Sequence, residues 1–522
     1  MTRPAVQVEL IDTVKERVRA IVTGSARELP GLRYADVRLD VVEAKHAVAE
    51  NGGSKSSGDD YAATLGVRVL AGDRMVAPGY IGRTLGQSDV GELDAIVRDD
   101  LARACRRAYV NAEMKADVRE KLPVLGEALA DTRLHAVDVR EDTVPAVCAV
   151  DPRTMSLDAM VAYTTDVSRQ VAAVDHRIKH NYISTFTQLG RELFVSSEGA
   201  LIDQSFALTQ GLAWLVAVSG ETSQELFDVL GHQRGWEILL DGVSDPLYRF
   251  PAFAGFSLDL AREAVLLSEA PALPPSDGPV TVVTDPHYNA LVSHEIIGHP
   301  VELDRALKME TAYAGRSWLF RSPEEHQIGQ RVASPLVNAY SDPSLPGYGA
   351  YAYDHEGTPA RRVTHIDRGV FVGFMNSRQT AAIFGGDPNG HFKATDASLV
   401  PLIRMSNTVL GAGARAPEDI LKEVDRGYYV AGHRIPSIAE SRENFHISAR
   451  RVYEIRNGQL GRLYRDGGIV ADSREYLMNV DAVGTDFRLY PIPNCGKGQP
   501  MQTKRLGNGG PTMRSRARVA GG

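Results

Sequence analysis

Cysteine is scarce in this chain, with three in 522 residues, at positions 105, 148 and 495. That excludes a disulfide framework and agrees with a reducing compartment. Nowhere do about eighteen apolar residues follow one another, so no segment reads as a membrane-crossing helix. Met1-Thr-Arg-Pro4 leads into an amphipathic stretch instead of a signal peptide. The expectation is a cytoplasmic protein without membrane contact. An excess of basic charge is also missing: 58 Lys and Arg stand against 66 Asp and Glu, a net charge of −8. There is therefore no electrostatic case for nucleic acid. Only the C-terminal stretch is locally basic, through Lys504, Arg505, Arg514, Arg516 and Arg518. It reads as a solvated edge, with contact to an acidic partner surface as the alternative. We find no internal repeat.

A hydrophobic content of 43% and 522 residues allow two or three domains with substantial cores. The expected fold class is α+β, with N-terminal α/β modules followed by a β-rich C-terminal domain. Helical periodicity runs from Val6 to Glu28 and Ala35 to Ala49 reads as a strand. The polar stretch Asn51–Asp60 follows, then strands at Tyr61–Leu70 and Met75–Thr84 and a long helix at Glu92–Ala116. These make a first α+β module at 1–130. A middle module at 131–275 begins with a helix near Ser156–His176, continues with strands through Ile183–Ser219, and holds a helical run around Ser223–Leu240. Pro271-Ala-Leu-Pro-Pro-Ser-Asp-Gly-Pro279 reads as a linker. Residues 276–522 then carry short strands between Gly and Asp turns, such as 361–376 and 452–465, as a β-rich catalytic domain.

The catalytic label comes from His294-Glu-Ile-Ile-Gly-His299. Neutral imidazoles suit zinc, and a carboxylate beside the first of them can accept a proton from water. Asp285 as cap and Pro286 at the first position mark a helix over Pro286–Gly298. The two His stand at i and i+5, so on a regular helix they would point roughly 140° apart. Two routes to convergence are open. Gly298 and Pro300 can fray the helix at His299, or a π-type turn can widen it.

Catalytic zinc usually takes a third protein ligand. Cys105 and Cys148 read as inert buried thiols. Cys495, in Pro491-Ile-Pro-Asn-Cys-Gly-Lys-Gly498, reads as lying on a constrained loop with Lys497 favouring its thiolate. The residues alone leave it open between ligand and free thiol on a turn. A cysteine-protease reading has no His partner to name.

Four motifs together carry a resemblance: His294-Glu-x-x-Gly-His299 with Glu302 and Asp304; Asp354-His-Glu-Gly-Thr-Pro359; Arg404-Met-Ser-Asn-Thr408; and Cys495-Gly-Lys-Gly-Gln-Pro500. In this order they resemble the TldD/PmbA family of zinc metallopeptidases, on the TldD side that keeps the metal motif. The likeness extends over most of the chain and is weaker before about residue 275. It implies that His294, His299 and Cys495 ligate Zn2+ and that Glu295 is the general base. It implies hydrolysis of unfolded or extended peptides, including peptide precursors, and a dimer with a motif-lacking relative or with a second copy. Glu302 and Asp304 are candidates to orient the ligand His. One region departs from the family pattern, Gly432–Phe445, where a Gly-rich strand is usual. A non-catalytic binding subunit, or a metal-dependent enzyme tailoring peptide natural products, are the competing readings.

Overall fold

The computed structural model describes residues 6–122, 130–312 and 315–521, so the opening Met1–Pro4 lies outside the described residues. The N-terminal half comprises α1 (Leu10–Glu28), β1 (Leu32–Glu50), β2 (Gly53–Ala71), β3 (Ala77–Leu85), α2 (Leu93–Lys121), β4 (Glu141–Val144), α3 (Leu157–Ala172), β5 (Ile178–Ser196), β6 (Leu201–Ser219), β7 (Thr222–His232) and α4 (Phe253–Glu269).

Alternation along β1 explains its two partners, since successive side chains leave a strand on opposite faces. Ala35, Val37, Leu39 and Val41 pack with Val14 and Val18 of α1 and with Val97 and Leu101 of α2. The intervening Asp36, Arg38 and Asp40 are buried as well, but under the C-terminal half. Arg38 donates to His355 Nδ1 at 2.8 Å and to Leu399 O at 2.7 Å. Arg68 of β2 bridges Asp36 and Glu356, the latter at 2.8 Å. Paired and hydrogen-bonded in this way, buried charge is tolerated and ties the two halves in one register.

The strands form one sheet in the order β3-β2-β1-β5-β6-β4, with β7 also on β6. β1 and β5 pair antiparallel from Asp36↔Ser196 to Glu50↔Tyr182, so the division expected at residue 130 separates stretches of sequence that share a sheet. Two local expectations are corrected. Most of the polar stretch Asn51–Asp60 is strand: the turn is confined to Asn51-Gly52, and the exposed residues from Gly53 extend the β1–β2 hairpin. The segment beginning at Ser223 is strand β7, which pairs with β6 from Ser219↔Thr222 to Thr209↔His232. Its Gln224 and Leu226 alternate inward, and the waiting edge of β6 overrides local helical preference. Only Glu237–Asp241 is helical there. Helix α4 has no counterpart among the expectations.

The C-terminal half comprises β8 (Val280–Thr284), α5 (Pro286–Val292), β9 (Ala339–Ser341), β10 (Val363–Asp367), β11 (Val370–Phe371), β12 (Asn407–Leu410), β13 (Arg426–Ile438), β14 (Asn444–Arg456), β15 (Gln459–Tyr464), β16 (Gly467–Asp472), β17 (Ala482–Val483), β18 (Arg488–Lys497), β19 (Gln502–Gly510) and β20 (Met513–Gly521). β8, β13, β14, β16 and β20 pair in succession, and β20 returns to pair with β8, which closes a ring; β15 and β17 flank it. A six-stranded sheet in the order β11-β10-β9-β12-β19-β18 stands beside it. Both contribute to one apolar core, with Val430, Ile447 and Val519 from the ring and Leu410, Ile492 and Leu506 from the sheet. The expected linker lies against the ring, where Leu273 N donates to Arg465 O and Ser276 N to Val519 O. The basic C-terminal residues belong to β19 and β20; Arg514 pairs with Asp481 and Glu423.

Asp285 joins β8 to α5. Its carboxylate accepts from Tyr288 N at 2.7 Å, capping the helix, and from Gly432 N of β13 at 3.0 Å. We predict that Asp285→Ala lowers stability by about 1–3 kcal/mol, read as a lower urea midpoint, because it removes a cap and orphans a buried N–H. Asp285→Asn, which keeps an acceptor, should lose much less.

Candidate metal centre

The helix after β8 changes its winding where the motif begins. α5 ends at Val292, and Ser293–Gly298 form a π-helical turn in which His299 N donates to His294 O at 3.2 Å. This i→i+5 bond places residues five apart above one another, and the two imidazoles come to 4.8 Å between ring centroids. Widening, not fraying, is therefore the route taken: His299 keeps helical angles, φ −68° and ψ −41°, in spite of Pro300. The glycine is required for a different reason from the one expected. A Cβ at Gly298 would stand 2.0 Å from Met405 Sδ.

Cys495 reaches the same point from β18. It lies in a strand and in the core, not on a loop, just past an irregularity in the β18–β19 pairing. The candidate ligand atoms of His294, His299 and Cys495 all lie within 4.8 Å of one another, with Cys495 Sγ 3.5 Å from His299 Nε2. All three residues are buried. Cys105 is buried too, but Cys148 is half-buried, and neither joins the cluster; burial raises both thiols.

Hydrogen bonds fix which ring nitrogen each His offers. Asn508 Nδ2 donates to Thr408 O at 2.9 Å, which turns its Oδ1 toward His294 Nδ1 at 3.0 Å. His294 therefore carries its proton on Nδ1 and leaves the Nε2 lone pair for a cation. His299 Nδ1 lies 3.1 Å from Glu302 Oε2, which has the same effect. Glu302 is held in turn by Arg305 at 2.8 Å and Lys497 at 3.2 Å. Of the two carboxylates expected to orient ligands, Glu302 touches one. Asp304 instead binds Lys497 and the backbone N–H of Ile403.

The charges suit a cation. Burial pushes the Cys495 thiol up, but His299, His294 and Arg404 outweigh it and hold the group well below its ordinary value, in the thiolate form. Lys497, expected to favour this thiolate, is engaged by Glu302 and Asp304. Burial works against a charged His294, yet the neighbouring sulfur raises it to about 9. Two imidazole nitrogens and a sulfur with outer partners in place make a donor set that fits a borderline-soft metal. Glu295 is buried beside them and forms an ion pair with Arg442. Burial raises this carboxyl, while Arg442 and both imidazoles more than offset it and keep it below its ordinary value.

Comparison with known proteins shows the family. The model described as the PmbA/TldA metallopeptidase C-terminal domain matches residues 277–521. A protein named metalloprotease from Methanothermobacter thermautotrophicus is 31% identical over 392 residues, 74% of this chain and 77% of that one. This chain belongs to the PmbA/TldD family. A zinc metalloprotease TldD homolog of Saccharolobus solfataricus is 24% identical over 358 residues, 68% of this chain and 74% of its own length. The crystal structure of TldE from Thermococcus kodakarensis shares the fold, with a TM-score of 0.66 at 16% identity over 98% of this chain and 100% of that one.

Two residues at the centre of this PmbA/TldD protein escaped the sequence reading. Asn508 sits in Gly507-Asn-Gly-Gly510, a glycine-rich run that was a usable signal. Arg442 falls in the divergent Gly432–Phe445 segment, which forms the end of β13, a turn and the start of β14. It adopts a left-handed φ of 66° at the turn, and nothing in its spacing points at Glu295. We predict that Cys495→Ala and His294→Ala abolish stoichiometric metal binding, measured by plasma mass spectrometry. Asn508→Leu should weaken metal affinity about 10–100-fold, since it frees the ring it now orients.

Proposed function

We propose that this chain is a zinc-dependent metallopeptidase that hydrolyses peptide bonds in extended or unfolded peptides. The observation that carries the reading is the convergence of His294, His299 and Cys495 within 4.8 Å beside the Glu295 carboxylate. Zinc bound by these three residues would supply a Lewis acid for a water and for the scissile carbonyl. The rest falls to the chain. Glu295 accepts the proton of the attacking water at a carboxylate oxygen and delivers it to the leaving nitrogen. Arg442 holds Glu295 in the ionised form that this requires. Asn508 and Glu302 keep the two imidazoles aimed, and the packing around Ile296, Ile297 and Met405 limits water.

Cys495 lies on an edge strand of its sheet, so a substrate strand laid alongside would bring its backbone to the centre. Among the described residues no helix is long and apolar enough to cross a membrane, which suits action on dissolved peptides in the cytoplasm. The working form is a dimer, with a motif-lacking relative or with a second copy. The similarity of this fold to TldE supports the former.

We predict that an unstructured peptide mixture is cleaved by the zinc-loaded protein and spared after chelation. Glu295→Gln should retain zinc while cleavage falls about 10²–10⁴-fold. A fully active Glu295→Gln protein would rule out the base assigned here.

A further inference from the structure

Arg442 has more to donate than Glu295 accepts. Its side chain is 7% exposed and that of Glu295 9%, and among the described residues no second carboxylate lies within ion-pair distance of it. Nη1 donates to Glu295 Oε2. It is the only one of the three guanidinium nitrogens with a hydrogen-bond partner among the described residues, and Nε is buried with none. The guanidinium is a planar fork, so a group that donates through Nη1 still presents Nε–H and Nη2–H side by side on a second edge. Buried N–H groups without an acceptor are rare because they are costly, and this one faces the residue beside the first ligand histidine.

Glu295 is not what holds Arg442 in place. Arg442 N donates to Ala439 O at 2.9 Å, which tightens the turn between β13 and β14. Ser473, fully buried, donates through Oγ to Arg442 O at 2.6 Å and through N to Glu443 O at 2.6 Å. Phe445, at the start of β14, packs edge-on against Tyr476 at 5.5 Å between centroids. The left-handed backbone at 442 is thus pinned from outside, and a donor fixed in advance needs no reorganisation when charge develops near it. Room for a substrate beside the centre comes from a cavity of about 800 Å³ where the N-terminal sheet meets the C-terminal half. Met405 lines it, as does Pro493, two residues before Cys495.

We propose that Arg442 is a catalytic residue of the hydrolysis, whose unpartnered edge binds the scissile carbonyl oxygen as it becomes an oxyanion. The inference rests on the peptidase reading above and deepens it by naming the donor that receives the developing charge. In the step concerned the water oxygen bonds to the acyl carbon, the carbonyl π pair moves onto the carbonyl oxygen, and the water's proton passes to Glu295. One unit of negative charge leaves Glu295 and appears on the substrate oxygen. A guanidinium with one edge on Glu295 and the other open stays beside that charge before and after the transfer. Collapse then re-forms the carbonyl and breaks the C–N bond, and the nitrogen leaves with the bonding pair and takes the proton from Glu295. A residue that only held Glu295 would need a single donor, and a lysine would serve.

The test is calorimetric binding of two uncleavable peptides of one sequence to full-length, zinc-loaded protein. In the first a phosphinic group replaces the scissile amide and mimics the tetrahedral oxyanion; in the second a trans-alkene removes the carbonyl oxygen. Arg442→Met should weaken the phosphinic peptide about 10²–10³-fold and the alkene less than about threefold, with zinc content unchanged. Arg442→Lys, which can still pair with Glu295, should bind the phosphinic peptide at least about tenfold more weakly than the parent protein. Equal losses for the two peptides overturn the proposal. So does full recovery by Arg442→Lys, which would leave Arg442 a partner of Glu295 alone. Cleavage of an unstructured peptide mixture is measured separately, and kcat/KM should fall in step with phosphinic affinity. Phosphinic affinity that depends on Arg442 without cleavage would fault the peptidase reading and leave the oxyanion donor, whereas cleavage with phosphinic affinity indifferent to Arg442 would do the reverse.

Discussion

The hydrogen bond from His299 N to His294 O is the constraint on which the candidate centre depends. A regular helix would turn the second imidazole away from the first, and no side-chain rotation makes up an offset of roughly 140°. The extra residue in the turn removes that offset at the cost of a rarely used winding. What holds the winding in place is packing from outside the helix. Met405 occupies the space a side chain at position 298 would need, Asn508 and Glu302 each hold one of the two rings, and Asp285 anchors the helix start to β13. The motif has its geometry because the surrounding sheet closes on it.

Legibility in the sequence followed the range of the interactions involved. The α+β class, the helix start at Asp285-Pro286, and the pairing of a His-Glu-His motif with a distant cysteine rest on local signals or on resemblance, and the structure places those side chains together. The spacing of five leaves two routes open in the sequence, because the deciding contact is with Met405, far off in sequence. Cys495 read as a loop residue since its flanking Pro and Gly are turn formers, yet strand pairing with β19 absorbs them through a register irregularity. β7 reads locally as helix because strand β6 beside it is invisible to a local window. Arg442 was illegible altogether: its role depends on a left-handed turn that brings one guanidinium onto one carboxylate.

The junction between the halves shows how buried charge can serve register. β1 gives its apolar row to two helices and turns its polar row toward the C-terminal half, where Arg38 reaches His355 and Arg68 of β2 reaches Glu356 across the junction. Broken singly, such contacts leave a charge stranded, so the halves have few alternative ways to sit against each other. The same junction frames the cavity next to the candidate centre. Precision there is set by charges well away from the cysteine and histidines themselves.

Closure of the ring by β20 against β8 has a consequence for biosynthesis. The strand that opens the C-terminal half cannot complete its hydrogen bonding until Met513–Gly521 has left the ribosome, and β18 and β19 emerge only shortly before. The histidine helix is thus made long before the sulfur that it meets and before the strand that seals its neighbourhood. At translation speeds of about 5–20 residues per second, that interval lasts roughly ten seconds or more. The candidate centre is thus among the last features of the chain to be assembled, after most of the fold around it is in place.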